Sequence, residues 1–288
     1  MAEFVLMTDD TCDFPPEYYE QNDLVVIKLA YSIDGEIYRA GDKTLKEFYD
    51  LVREGKKPTT MALNAEEVKA VMEPHLAAGK DVLYIAFSSG LSITVQNATM
   101  AVQELSEKYP DRKAILVDSL CASMGEGVLV RAVNQMRKNG AGIDEAAQWA
   151  RDNRLKVAHY VMPDDLMHLH RGGRLSKTSA IAGTMLGIKP ILNVNNEGKL
   201  EKVGKERGKK QAMSTMVENI AKCAGSTKPD FFAVSHADCP EDAECLAKLV
   251  SERMGISDYV ISYIGPVIGS HTGTGTVALF IMGERRAL

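Results

Sequence analysis

DVLYIAFSSGLSITVQNA, Asp81 to Ala98, decides the fold. Six apolar residues from Val82 to Phe87 run into Ser88, Ser89, Gly90, Leu91, Ser92 and Thr94, and then into a segment with helical spacing. A strand that feeds a helix through a hydroxyl-rich turn gathers side-chain donors, unpaired backbone N–H groups and the positive end of a helix dipole in one place. Such a turn suits an anionic or polar group.

Working outward, the N-terminal half alternates short apolar runs with helical patterns, the sequence form of a βα-layered, largely parallel sheet. Strands are expected at Phe4 to Met7, Val25 to Leu29, Val82 to Phe87 and Ala114 to Val117. Apolar residues at three-to-four spacing predict helices at Leu45 to Glu54, Ala65 to Ala77, Val95 to Lys108, Gly125 to Lys138 and Ile143 to Asn153. From Val157 to Val161 a second set begins, with strands near Ile191 to Val194, Leu200 to Val203, Phe231 to Ser235, Tyr259 to Tyr263 and Val277 to Met282. Its helices are Lys209 to Ala224 and Pro240 to Met254. A domain boundary is therefore expected near residue 157, and 288 residues suit two domains.

Composition narrows the function. A net charge of −5 gives no general attraction to nucleic acid or an anionic membrane. The five cysteines, Cys12, Cys121, Cys223, Cys239 and Cys245, have neither an even count nor CxxC spacing, so they read as reduced thiols. With no signal-like N-terminus and no membrane-length apolar run, a cytoplasmic location is expected. Gly273 to Ala278 fits a dinucleotide fingerprint, but only ten residues follow, too few to complete a βαβ unit. No GxxxxGK[ST] loop is present for ATP, and His168 and His170 lack the i, i+4 spacing of a helical metal pair. No metal and no cofactor are expected. Asp9, Asp10 and Asp13 lack the DxD spacing of a phosphoenzyme, and Asp13 reads as a helix-start residue ahead of Pro15 and Pro16.

Seven segments in order, TDDTCDFP (Thr8 to Pro15), PTTMAL (Pro58 to Leu63), SSGLSITVQNA (Ser88 to Ala98), VDSLCASMGEG (Val117 to Gly127), LHRGGRLS (Leu169 to Ser176), LGIKPIL (Leu186 to Leu192) and GPVIGSHTGTG (Gly265 to Gly275), span nearly the whole chain. Together they resemble the DegV family of bacterial fatty-acid-binding proteins. The resemblance implies an α/β protein of two domains. Residues 1–157 would hold a mostly parallel sheet with helices on both faces, and 158–288 a mixed or antiparallel sheet. A long-chain fatty acid would lie in an apolar tunnel with its carboxylate at the interface, in a binding protein without catalysis of its own. It also implies, as for some members, presentation of that carboxylate to a separate ATP-binding kinase subunit.

Carried over residue by residue, the resemblance points to Thr59, Thr60 and Ser92 as hydroxyl donors to the carboxylate, with His271 and Arg174 supporting its charge. Ser92 and Thr60 also suit helix capping at such turns. Ile93 stands where the family usually has Gly, and a β-branched residue disfavours positive φ. Asp10 adds a negative charge where the family has a hydroxyl. For the tail, Met162, Met167 and Met185 offer flexible walls. Ala180, Ile181, Ala182, Met185, Leu186 and Ile188 form a nearly all-apolar segment that is buried or lines the tunnel. From Lys199 to Lys210, six cations face two acids, and Lys202, Lys205 and Arg207 are read as a docking surface for an acidic partner. The alternative from a different class is a serine hydrolase acting on a lipid ester, in which Gly90-Leu91-Ser92-Ile93-Thr94 approximates a nucleophile elbow and Asp118 and His271 complete a triad.

Overall fold

The computed structural model describes residues 4–176 and 187–288. In chain order its strands are β1 (Val5–Asp9), β2 (Leu24–Ile27), β3 (Ala30–Ile33), β4 (Glu36–Arg39), β5 (Thr59–Met61), β6 (Val82–Ala86), β7 (Ala114–Asp118), β8 (Val157–Met162), β9 (Ile188–Val194), β10 (Leu200–Arg207), β11 (Phe231–His236), β12 (Asp258–Tyr263) and β13 (Val277–Met282). The apolar run from Ala180 to Leu186, Met185 included, lies outside the described residues.

The Asp81 to Ala98 stretch forms β6, a turn and the helix Thr94–Lys108. Every residue of β6 is buried, the pattern of a central parallel strand covered on both faces. The first sheet runs β2-β1-β6-β7, parallel throughout. Because strand side chains alternate, Met7, Val82, Tyr84 and Ala86 pack against helices Ala65–Ala77 and Thr94–Lys108. Leu6, Leu83, Ile85 and Val117 pack the other way, against helices Met124–Lys138 and Ile143–Asn153.

A second sheet runs β10-β9-β8-β13-β11-β12, antiparallel at each pair except β11 and β12. One face, including Ala233, Ala278 and Phe280, joins the same core as helix Met124–Lys138. Its other face, including Tyr160, Val234 and Leu279, is covered by helices Lys209–Ala224 and Pro240–Met254. Five layers of helix, sheet, helix, sheet and helix result, and the fold is α/β with a parallel and a mixed sheet.

Helix Met124–Lys138 is the shared middle layer, and its first turns explain its glycines. A Cβ on Gly125 would lie 2.1 Å from His159 Nε2, and one on Gly127 3.0 Å from the Phe14 ring. A second tie is the fully buried Arg286. Its guanidinium donates to the carbonyls of Val157 (3.1 Å), Leu120 (2.5 Å), Asn195 (3.2 Å) and Arg154 (2.6 Å), binding the C-terminus to loops of both sheets. Its donors are matched by acceptors, as a buried guanidinium requires.

Short elements escaped the periodic reading. The three-stranded antiparallel sheet β4-β3-β5 and the helices Pro16–Gln21, Leu166–Arg171 and Pro266–Thr272 each hold too few residues to display a period. Asp13 does not start the Pro16–Gln21 helix, whose N-cap is Pro15 without a side-chain bond. With φ 56°, Asp13 instead closes the 3-10 turn Asp10–Cys12. Its carboxyl accepts from Gly265 N–H at 2.8 Å and from Ser123 Oγ at 2.5 Å, joining the two sheets.

Around it Asp9 and Glu126 are also buried. Burial pushes the Asp13 carboxyl up to about 8 and the Asp10 carboxyl up to about 7, and it raises Asp9 and Glu126 too. These groups are protonated in the fold at pH values where the unfolded chain has lost the proton. Stability from them is full below about pH 4 and is lost as pH rises toward about 8. Buried His159 and His271 act oppositely, below pH 6.5, because burial lowers both. From pH 6.5 to 8.5 the Tm is therefore expected to fall. Asp13→Asn, which keeps an acceptor toward Gly265, should make that fall shallower; a Tm profile parallel to the parent's would contradict the assignment.

Candidate functional site

At the C-terminal end of β6, the region where open α/β sheets place ligands, lies a cavity of about 550 Å³. It is walled by the 87–93 turn, the start of helix Met124–Lys138, helix Pro266–Thr272 and the inner face of the second sheet. Phe87, Val161, Val194, Val267, Ala278 and Phe280 make much of the wall apolar. Thr60, Ser92, Arg174 and His271 all line it.

Thr60 sits on β5 and has no capping role; its Oγ1 is 2.8 Å from His271 Nε2. His271 lies on helix Pro266–Thr272 rather than in a turn. Its Nδ1 is buried without a hydrogen-bond partner among the described residues, and a Cβ on Gly172 would fall 2.2 Å from that atom. Burial, with help from the Arg174 charge, pushes the imidazole down to about 4, so the ring is neutral near pH 7. The roles follow the tautomer: with hydrogen on Nε2 the ring donates to Thr60, whose own O–H is then free, whereas with hydrogen on Nδ1 the Thr60 hydroxyl donates to Nε2 and the Nδ1 proton is enclosed beside Gly172.

Arg174 Nε donates to Leu91 O at 3.0 Å and an Nη donates to Gly172 O, which holds a half-buried cation beside the ring. Ser92 Oγ accepts from Thr94 N–H at 3.2 Å and shares a proton with Thr94 Oγ1 at 3.0 Å. Ser92, one residue before the Ile93 N-cap, thus serves the first N–H of the helix and lines the cavity at once. A neutral imidazole, two hydroxyls and a guanidinium form a donor-rich patch suited to a carboxylate.

Other expectations land elsewhere. Adjacent residues on a strand point to opposite faces, and Thr59 is exposed in a separate depression with Ser32 and Lys56. Ile93 takes φ −80°, so no left-handed conformation is required of it. The demand for glycine falls on Gly90, where a Cβ would lie 2.5 Å from Glu197 O. Asp10 turns away from the cavity and accepts from Leu29 N–H at 3.0 Å. Met162 packs in the core on the far side of the second sheet, and Met167 packs against Leu166 and Leu169; Met61 is the methionine that lines the cavity among the described residues.

The triad of the hydrolase alternative does not assemble. His271 Nε2 bonds Thr60, Ser92 bonds Thr94, and Asp118 Oδ1 accepts from the N–H groups of Ser89 (3.2 Å) and Leu120 (3.0 Å). Among the described residues no base is bonded to Ser92, so none of them activates it as a nucleophile.

Two polar wall residues went unread in the sequence. His159 is 1% exposed and reaches the cavity from β8. Ser123, with φ 55° and ψ −147°, stands at the start of helix Met124–Lys138 and is bonded to Asp13 and, at 2.9 Å, to Ser235 Oγ. The available signal was Gly125 and Gly127, two positions apart at a helix start, which marks close approach of something bulky.

Comparison with known proteins agrees with this architecture. Residues 3–284 match the family model described as an uncharacterised protein, DegV family. A DegV domain-containing protein of Clostridium perfringens is 39% identical, with 99% of each chain covered. One from Streptococcus pyogenes is 37% identical over 98% of each. Among solved structures, a DegV family protein of Thermus thermophilus described as fatty acid binding has a TM-score of 0.89 and 27% identity, covering 98% of this chain and 99% of that one. The fatty acid binding DegV family protein of Streptococcus agalactiae has a TM-score of 0.86 and 29% identity, with coverage of 98% and 99%. The layered fold, the cavity at the end of β6 and these matches along the full chain lead to one conclusion: the chain belongs to the DegV family.

Proposed function

We propose that this protein binds one long-chain fatty acid, with its carboxylate at Thr60, Ser92, His271 and Arg174 and its tail along the apolar wall. The observation that carries the reading is the Thr60–His271 pair, whose neutral ring, when protonated at Nε2, frees the Thr60 hydroxyl to donate beside the Arg174 cation in an otherwise largely apolar cavity. The ligand class is supported by the related proteins of known structure that are described as fatty acid binding. Tail burial supplies affinity at about 0.8 kcal/mol per methylene, and the carboxylate contacts chiefly supply orientation.

The reading extends to presentation of the carboxylate to a separate ATP-binding kinase subunit. On β10 the alternation leaves Lys205 and Arg207 exposed and Lys202 half-buried. Two neighbouring cations are already matched, Lys199 by Glu197 at 2.7 Å and Lys209 by Asp242 at 2.5 Å. Lys205 and Arg207, with the exposed Lys210 beside them, therefore face solvent as the cations offered to an acidic partner.

Native mass spectrometry followed by lipid extraction should recover a fatty acid from the purified protein. Recovery of none, with no thermal shift on adding one, would overturn the reading. Thr60→Ala should weaken binding by about 1 to 3 kcal/mol, and it should also lower Tm because it leaves His271 Nε2 without its partner. Ser92→Ala should lower both affinity and stability, the latter by about 1 kcal/mol for the lost bond to the Thr94 N–H. Reversing Lys205 and Arg207 to Glu should slow association with an acidic kinase partner, most strongly at low salt; rates equal to the parent's would remove the docking idea.

A further inference from the structure

The cavity stops at a row of four side chains laid across the second sheet. Phe280 of β13 is opposite His159 of β8. Because Tyr160 pairs with Asn193, the row continues to Val194, and Val194 pairs with Leu200 of β10. All four line the cavity, whereas Met282 and Val157, next on the same faces of β13 and β8, do not. From Thr276, also on the wall, to Phe280 is four residues, about 13 Å at 3.3 Å each. That equals roughly eleven bonds of an extended chain at about 1.2 Å per bond.

His159 is the fixed member of this row. Its Nδ1 is 3.0 Å from Val157 O, and a carbonyl only accepts, so Nδ1 carries the proton and Nε2 is left to accept from Ala122 N–H at 3.4 Å. The ring meets Phe280 edge to face, with centroids 5.4 Å apart. Behind it is Gly125, where any side chain would collide with the ring. The imidazole therefore rests on bare helix backbone, tethered at both nitrogens, and does not yield to a chain pressing on it.

We propose that His159, seated on Gly125, sets the length of acyl chain that the cavity accepts, an inference that rests on the fatty-acid reading above. The stop is steric. His159→Ala removes the ring and opens the space above Gly125, so the preferred chain should lengthen by about two carbons. Gly125→Ala drives the ring toward the cavity and should shorten it. His159→Leu keeps comparable bulk without the polar atoms and should hold the parent's preference.

The experiment is competitive loading with saturated fatty acids from about ten to about twenty carbons, read by native mass spectrometry, with folding checked by circular dichroism. Chains of about ten carbons, too short to reach the row, should bind parent and variants alike. A longer optimum in His159→Ala with an unmoved one in His159→Leu supports the stop, whether or not Gly125→Ala folds. A folded His159→Ala with the parent's length profile overturns it while leaving fatty-acid binding intact. If the parent loads no member of the series, both readings fall.

Discussion

The constraint on which the rest depends is that one helix serves two sheets. Helix Met124–Lys138 packs against the parallel sheet on one side and the mixed sheet on the other, so it has little polar face to spare and ten of its residues are buried. Glycines at 125 and 127 let the second sheet and the Phe14 segment close onto its first turns. The cavity lies where this helix begins and the packed layers part. Ala122 and Ser123, immediately before it, are part of the cavity wall.

Closing two sheets on one helix also brings polar groups into the interior. Asp13 meets Ser123 and the Gly265 N–H across the junction, while Glu126 accepts from Thr8 and Thr11. The four carboxyls of this region stay tolerable because hydroxyls and backbone N–H groups serve them and burial raises their proton affinity. Arg286 answers the reverse problem, a buried cation matched to carbonyls from both halves. Gly265 opens the helix that carries His271, so this polar junction also positions the donor end of the cavity.

Much of the fold was legible because long elements advertise their period. Helices Ala65–Ala77, Ile143–Asn153, Lys209–Ala224 and Pro240–Met254 begin and end where their spacing places them. The misses were short or governed by distant partners. β5 is three residues long and gains its identity from pairing with β3. The same pairing separates Thr59 from Thr60, which a reading of two adjacent hydroxyls treated alike. Ile93 drew attention as a missing glycine, yet the tight contact is at Gly90, against the turn at Glu197 and Gly198.

By itself the sequence determined the βα alternation, the hydroxyl turn after β6 and the candidates Thr60, Ser92, Arg174 and His271, because each is encoded in local pattern or in motifs. Tertiary structure alone decided which side chains share a cavity, that Asp10 turns to Leu29 and that the His159 ring lies against Gly125. The reason is one of range. Periodicity and capping act over a few residues, whereas the register of β8 with β13 and the approach of Gly125 to His159 join segments far apart in the chain, and no local pattern records them.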